Sequence, residues 1–423
     1  MPTSTLLTFQ NLGAAVSLNV DQRFLDALRA VFLNWPFELS ADSESPVFAS
    51  VCYKDKRYKI SSPFMEEPVS YTDPVNAICS MIVELAWAHL RAETSLLCLH
   101  GAAVKMNGRL VVFPNARRAG KSTLSVAMMA AGYKLYTDDF LPLVIDGENQ
   151  ICGFSHGIAP RLRLPVAEQI GERAELYIKG RGFVANRQYQ YVIPNAGESA
   201  KFGDTAVVGA LVFLEQKENV APSIEIVDST QTLRMLLTQN FSRAMNSDGI
   251  LEILAALASN APAYVMQYSD VESAIMLLED QLADWQSNPA VIENGTGANF
   301  GPAGQFESAP EIANWRGTAL IQASGVKEIA TEGSRFLSDP SGRNIHYLNA
   351  GATNIWRILE QPASVAEVVE ILAAVFPEQP VEIIRHDVSA AVQQFVDNGL
   401  VKPAQADPLG NQPHATYVAG CHE

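Results

Sequence analysis

The sequence predicts an α/β core, preceded by a small α+β region and followed by a separate α+β domain. Three observations carry this. The chain is 48% hydrophobic and only 18% charged, enough apolar material to bury a sizeable core. Residues 110–132, LVVFPNARRAGKSTLSVAMMAAG, read as a strand, a loop and a helix in direct succession. Between Trp285 and Trp315 the segment QSNPAVIENGTGANFGPAGQFESAPEI is rich in Gly, Asn, Ser and Pro and has no hydrophobic period, so it reads as a flexible linker.

A chain of 423 residues accommodates two or three domains at roughly 100–200 residues each. Thirty Lys and Arg against forty-six Asp and Glu give a formal charge of −16. That balance argues against broad electrostatic binding to nucleic acid or an anionic membrane. The five cysteines, Cys52, Cys79, Cys98, Cys152 and Cys421, are odd in number and never form C-x-x-C, so they read as reduced thiols rather than a disulfide framework or a zinc site. The first residues, MPTSTLLTFQNLGAAVSLNVDQRF, lack a basic stretch followed by a long apolar one, and nowhere do eighteen consecutive apolar residues occur. The expectation is a soluble, cytoplasmic protein without a membrane partner.

Along the chain, VFASVCYKDKRYKIS reads as β-rich and residues 76–91 as helical, which marks 1–95 as a small α+β region leaning on the α/β core. The α/β alternation begins near Leu96 and runs to a helical stretch, VESAIMLLEDQLADW, so 96–285 is the expected core. Residues 286–315 form the linker. Beyond it, TALIQAS, VKEIAT, SRFLS and NIHYLN are strand-like and precede three helical runs. Ser364 and Glu367 form a capping box for the run to Phe376, and Gly399 can close the run that starts near Val381. Residues 316–402 are therefore a compact domain of the β-then-α kind, and 403–423 a mobile tail.

The strongest chemical signal is the loop at 115–123. Leu110 to Phe113 are apolar and β-prone, and Gly120-Lys121-Ser122-Thr123 opens a run of helix formers that ends at Gly132. This is the context of a phosphate-binding loop: N–H groups at a helix N-terminus hold phosphate oxygens, a lysine neutralises the β/γ charge, and the next hydroxyl ligates Mg²⁺. The expected nucleotide-binding residues are Asn115, Ala116, Arg117, Arg118, Ala119, Gly120, Lys121, Ser122 and Thr123. The motif G-x-x-x-x-G-K-[ST] would place its first glycine at 115, where this chain has Asn115. Asn is the best non-glycine candidate for a left-handed backbone, so the turn can survive. Arg117 and Arg118 stand where small residues are usual, either to contact phosphate or to crowd it.

Past the helix, KLYTDDFLPL is strand-like and carries Asp138-Asp139. Acids at a strand's carboxyl edge beside such a loop can hold Mg²⁺ and accept a proton from an attacking hydroxyl; elsewhere the same pair would more simply cap a turn. His100 ends the apolar run LLCLH, and a single histidine there fits a structural role as readily as a catalytic one.

His100-Gly101, the loop at 115–123 and Asp138-Asp139, in that order and at short spacing, resemble the C-terminal catalytic domain of bacterial HPr kinase/phosphorylase and its divergent HprK-related kinases. The resemblance spans 96–285 and is strongest from Leu99 to Leu143. It implies a P-loop kinase core that transfers the γ-phosphoryl of ATP to a serine hydroxyl. By position, Lys121 would bind the β/γ-phosphates, Ser122 and Asp138 would serve Mg²⁺, Asp139 would be the base, and His100 would tune the acids; the two aspartates could exchange roles. The chain departs from genuine HPr kinases in following Lys-Ser with Thr123 rather than Glu, and the family's phosphorolysis motif is not found. HPr as substrate and the reverse reaction are therefore not expected. Arg161 and Arg163, in PRLRLP, are either cations reaching phosphate or acceptor, or surface arginines of a strand.

Residues 316–402 resemble the PqqD family through DPSGRNIHYLNAGATNIWRILEQPASVAEVVEILAAVFP, in particular Tyr347-Leu348-Asn349, Ile355-Trp356 and the helix capped at Ser364. That resemblance implies a winged-helix-like body to which the leader of a ribosomally made peptide adds a strand. Trp356 and Phe395 read as core rather than contact. From Arg316 to Lys402 there are seven Lys and Arg against ten Asp and Glu, a net of −3, the wrong sign for a DNA-binding winged helix. The combined expectation is an ATP- and Mg²⁺-dependent kinase of a peptide or small protein, with the tethered domain raising the local substrate concentration. The alternative is a non-catalytic peptide chaperone with a degenerate nucleotide site. The kinase resemblance leaves a homo-oligomer open.

Overall fold

The structure is a computed structural model, and it describes residues 5–42, 44–93, 96–115, 119–167, 170–242, 245–283, 290–292, 300–303 and 315–404. The chain divides into two compact units, Met1–Gly304 and Gln305–Glu423.

The first unit opens with β1 (Thr5–Phe9), β2 (Ala15–Asn19), α1 (Gln22–Val31), β3 (Phe37–Ser40), β4 (Val47–Lys54), β5 (Arg57–Ser61), β6 (Val69–Tyr71) and α2 (Pro74–Ala92). The six strands form one sheet in the order β3-β1-β2-β4-β5-β6. The β-rich segment noted in the sequence is the β4–β5 hairpin, with Tyr53 opposite Tyr58. Asp73 accepts a hydrogen bond from the Asn76 N–H, and Pro74 stands in the first turn, so α2 starts where side-chain capping and a preset φ both favour it. Its residues Val75, Ile78, Met81 and Leu85 join Trp35, Phe24 and Tyr58 in the core of this region; Ala159, Val184 and Tyr191 from farther along the chain enter the same cluster.

There follow β7 (Leu97–His100), β8 (Ala102–Met106), β9 (Arg109–Phe113), α3 (Lys121–Ala130), β10 (Lys134–Thr137), β11 (Phe140–Ile145), β12 (Ile151–Phe154), β13 (Arg161–Arg163), α4 (Glu172–Lys179), β14 (Val184–Ala185), β15 (Tyr189–Tyr191), β16 (Thr205–Gln216), β17 (Ser223–Ile226), α5 (Ser229–Thr238), α6 (Ser247–Asn260), β18 (Ala263–Tyr268) and α7 (Val271–Gln281). Among the described residues a nine-stranded mixed sheet runs β10-β8-β9-β16-β12-β11-β7, with β18 also on β16 and β17 on β18. β16 pairs in parallel with both β9 and β18. Their carboxyl ends, Phe113, Gln216 and Tyr268, therefore lie along one edge, which is where open α/β sheets bind ligands. Helices α3 and α7 cover one face of these strands; Leu124, Met128, Val212, Met266 and Leu278 share that core. A small sheet, β13-β15-β14, stands beside the main one.

Short described pieces of the segment expected as linker are tied to this unit. Ala290 is fully buried, its carbonyl accepts from the Ile151 N–H, and the Gly301 carbonyl accepts from the Asn246 N–H. The remainder of 286–314, and the tail from 405, lie outside the described residues.

The second unit has a 3₁₀ turn at Trp315–Gly317, β19 (Leu320–Gln322), β20 (Lys327–Thr331), β21 (Ser334–Ser338), β22 (Ile345–Leu348), α8 (Ala350–Ile358), α9 (Val365–Val375), α10 (Val381–Asp397) and β23 (Val401–Pro403). It is α+β: a β20-β21-β22 meander and a β19-β23 pair pack with three helices. The four strand-like pieces and three helical runs of the sequence are all present. The Ser364–Glu367 capping box forms reciprocally, and Gly399 takes φ +66°. Trp356 and Phe395 are buried and meet edge to face at 5.6 Å. The Asp339 carboxylate accepts from the Arg343 and Asn344 N–H groups and the Asn344 side chain, which fixes the β21–β22 loop. Burial would raise its pKa, but the nearby His346 ring and hydrogen bonds from Ser341, Asn344 and the Arg343 N–H hold it well below the usual carboxylate range. No helix among the described residues is long and apolar enough to cross a membrane.

Candidate functional site

The loop after β9 brings two features to the start of α3. Gly120, the residue before the helix, has φ +85°, and a Cβ built there would lie 2.5 Å from the Tyr268 hydroxyl and 3.4 Å from Gln216 Oε1. Both the backbone conformation and the space exclude a side chain. Lys121 follows and is buried, 6% exposed, with its Nζ donating to the Asn115 carbonyl at 2.7 Å. A buried ammonium needs such acceptors.

Asn115 ties the loop to the neighbouring strand. Its side-chain oxygen accepts from the Leu214 N–H at 2.7 Å and its side-chain amide donates to the Leu214 carbonyl at 3.0 Å. The residue that replaces the motif's first glycine thus continues the hydrogen bonding of β16 past its pairing with β9. Ala119, Gly120, Lys121, Ser122 and Thr123 line one cavity of about 750 Å³. Ala116, Arg117 and Arg118 lie outside the described residues.

Asp138 and Asp139 occupy the short connection between β10 and β11, and both line the same cavity. Asp138 is half-buried; its Oδ2 accepts from the Arg161 N–H at 3.1 Å, while Ser122 Oγ lies 3.4 Å from its carbonyl oxygen. Burial, and then the negative charge of Asp139 beside it, push the Asp138 carboxyl up to about 7. Asp139 is more open, and its Oδ1 stands 3.2 Å from His100 Nε2. Pairing of Phe140 with His100 across β11 and β7 sets this approach. The structure therefore brings His100, Asp138, Asp139, Lys121 and Ser122 to one cavity.

Arg161 and Arg163 also line it. The Arg161 guanidinium contacts the Cys79 thiol and lies 4.5 Å above the Tyr189 ring. Residues not singled out in the sequence, notably Gln216, Tyr268, Tyr189 and Cys79, complete the surroundings of these groups. The first two stand at the ends of parallel strands, a signal that was available once β16 and β18 were recognised as strands. Among the described residues no group of three or more His, Cys, Asp or Glu is gathered to hold a metal ion.

In the second unit the meander leaves two sheet edges, β20 and β22, and the Trp356 indole donates to Glu328 Oε2 at 2.8 Å, fixing β20 to α8. Residues 335–401 match the family model described as Coenzyme PQQ synthesis protein D (PqqD). The match runs from β21 into β23 and so takes in the last two strands of the meander and all three helices of this PqqD region. No curated protein matches the chain. Among solved structures, that of the Hpr(Ser) kinase/phosphatase from Coxiella burnetii aligns with 13% identity over 44% of this chain and 93% of its own, at a TM-score of 0.23.

Proposed function

We propose that the protein is an ATP- and Mg²⁺-dependent kinase that phosphorylates a hydroxyl, in the first instance a serine, on a peptide whose leader is held by the PqqD region. The observation that carries this reading is the convergence of Lys121, Ser122, Asp138 and Asp139 on one cavity at the carboxyl edge of the parallel strands. Glycine at a left-handed turn, a lysine and a hydroxyl residue at a helix start suit a triphosphate, which is recognised by N–H groups and a neutralising cation.

Mg²⁺ commonly takes one or two protein ligands and fills its shell with water and phosphate oxygens, so a site offering Ser122 and Asp138 fits it. When bound it supplies charge neutralisation on the β/γ-phosphates. Lys121 exchanges the Asn115 carbonyl for a phosphate oxygen. Asp139 receives the proton of the acceptor hydroxyl as the new bond from that oxygen to the γ-phosphorus forms and the bond to the β,γ-bridging oxygen breaks, with ADP leaving. His100, hydrogen-bonded to Asp139, orients the carboxylate. Positioning and electrostatics supply nearly all of the rate in such a reaction.

The PqqD match supports a peptide partner, and strand addition to an open edge of the β20-β21-β22 meander provides the means: main-chain hydrogen bonds for affinity and neighbouring pockets for side-chain choice. A winged-helix-like arrangement of this region is part of the same reading.

The test is incubation of the full chain with γ-labelled MgATP and any serine-containing precursor-like peptide encoded beside its gene, with the site of label mapped by mass spectrometry. Transfer to a serine, reduced by about 10³-fold or more in Lys121→Ala, is the expected result. A second reading, a non-catalytic peptide chaperone, is favoured by the Asn115 substitution and its lock onto Leu214. Absence of nucleotide binding, with Lys121→Ala indistinguishable from wild type, would favour it over the kinase.

A further inference from the structure

The N-terminal region carries no motif, yet one of its helices borders the candidate site. Cys79, Ile82, Val83 and Ala86 are spaced i, i+3, i+4, i+7 on α2, so they share one face, and all four line the 750 Å³ cavity. A second, adjacent face, Val75, Ile78, Met81 and Leu85, is already buried in the N-terminal core. A helix apolar on two faces needs cover on both. Here the Cys79–Ala86 face meets the cavity, where Val83 is 42% exposed; Ile82 is half-buried and also packs against the N-terminal core. No charged residue stands in the stripe; the nearby acid on α2, Glu84, is buried and bonded to Ser62.

The stripe lies on the side of the acids. Cys79 contacts the Arg161 guanidinium, and the N–H of the same arginine donates to Asp138 at 3.1 Å. One residue thus separates α2 from the carboxylate pair. Phe140, which follows Asp139, and Phe241 continue the apolar lining. The phosphate-loop residues, by contrast, sit with Tyr268 and Gln216 at the strand ends.

We infer that this face of α2 is the acceptor-side wall of the site and selects an apolar side chain immediately next to the phosphorylated hydroxyl. The inference rests on the phosphotransfer reading above and adds a specificity determinant to it. An acceptor oxygen beside Asp139 places its neighbouring residue along the long apolar surface that the cavity offers on that side. An acidic neighbour would be desolvated against Ile82 and Val83, between the Asp138–Asp139 pair and the Arg161 guanidinium at Cys79.

The test uses the full chain with γ-labelled MgATP and a positional library of nonapeptides with a fixed central serine, each flanking position held in turn as Leu, Val, Lys or Glu. Nucleotide affinity is measured alongside by calorimetry. The expected result is a preference for Leu or Val over Glu of at least about tenfold at one adjacent position, the scale on which apolar pockets discriminate. Val83→Glu should shift that preference to Lys, and Val83→Phe should shift it to smaller side chains, both with nucleotide affinity held within about twofold. Labelled peptides without an apolar preference, or a preference unmoved by both variants, would overturn the wall while leaving phosphotransfer standing. A wild-type chain that binds no nucleotide or labels no peptide would overturn the kinase reading and this inference together.

Discussion

The side chain of Asn115 brackets the backbone of Leu214, donating to its carbonyl and accepting from its N–H across 99 positions of sequence. Leu214 is 4% exposed, so neither backbone group has water to fall back on. Restoring the motif glycine with Asn115→Gly should therefore weaken the protein rather than improve it. Leaving a buried donor and acceptor unpaired costs about 1–3 kcal/mol each before relaxation, and a drop of roughly 2–4 kcal/mol in urea unfolding is expected. An unchanged midpoint would mean that the clamp contributes nothing.

Gly120 and Tyr268 give a sharper test, because the obstacle to a side chain at 120 is chiefly one hydroxyl. A Cβ there would meet the Tyr268 oxygen at 2.5 Å but the ring carbon behind it only at 3.8 Å. Gly120→Ala should destabilise by the left-handed backbone cost of about 1–2 kcal/mol plus the clash. In Gly120→Ala/Tyr268→Phe the clash is gone and only the backbone cost remains. The double-mutant cycle should show coupling of about 1 kcal/mol or more in favour of the pair; additive effects would exclude the contact.

Much of this was legible in the sequence because it is written locally. The strand–loop–helix passage around Lys121 announces itself by a change from a β-prone run to helix formers, and the Ser364–Glu367 box and Gly399 mark helix ends by residue type alone. The approach of His100 to the acids was legible only through the resemblance of their order to a known family. What could not be read depends on residues distant in sequence. The Asn115 clamp needs β16 as a neighbour of β9, the Cys79–Arg161 contact joins positions 82 apart, and α2 displays its two apolar faces only when both the N-terminal sheet and the cavity are in place. A periodic pattern shows that a helix has an apolar stripe, never what covers it.

In the second unit, Glu328 holds two groups at once: the Trp356 indole N–H at 2.8 Å and the Arg335 guanidinium. The Arg335 side chain is 14% exposed and that of Glu328 30%, so the ion pair itself is partly screened. Glu328→Ala leaves both donors without this acceptor, and a loss of about 1–3 kcal/mol is expected. Glu328→Gln retains an acceptor for the indole and should lose less. Tryptophan fluorescence during urea unfolding measures both; equal losses would show that the Trp356 bond is immaterial.

The raised pKa of Asp138 has a definite sign for stability. Unfolded, the group titrates near 3.9; folded, burial and the Asp139 charge move it to about 7. Between those values the folded state binds more protons than the unfolded one, so stability declines as pH rises from about 4 to about 7, and the full cost is present above 7. Asp138→Asn removes the titration and should therefore be more stable than wild type at pH 8, with the difference shrinking toward pH 4, while phosphotransfer is lost. Mg²⁺ with ATP should have the complementary effect on wild type, raising its melting temperature more at pH 8 than at pH 6, because the cation favours the ionised carboxylate. Thermal unfolding across pH 4–8, with and without MgATP, measures both. Asp138→Asn less stable than wild type at pH 8 would mean that the carboxylate serves the fold rather than the site.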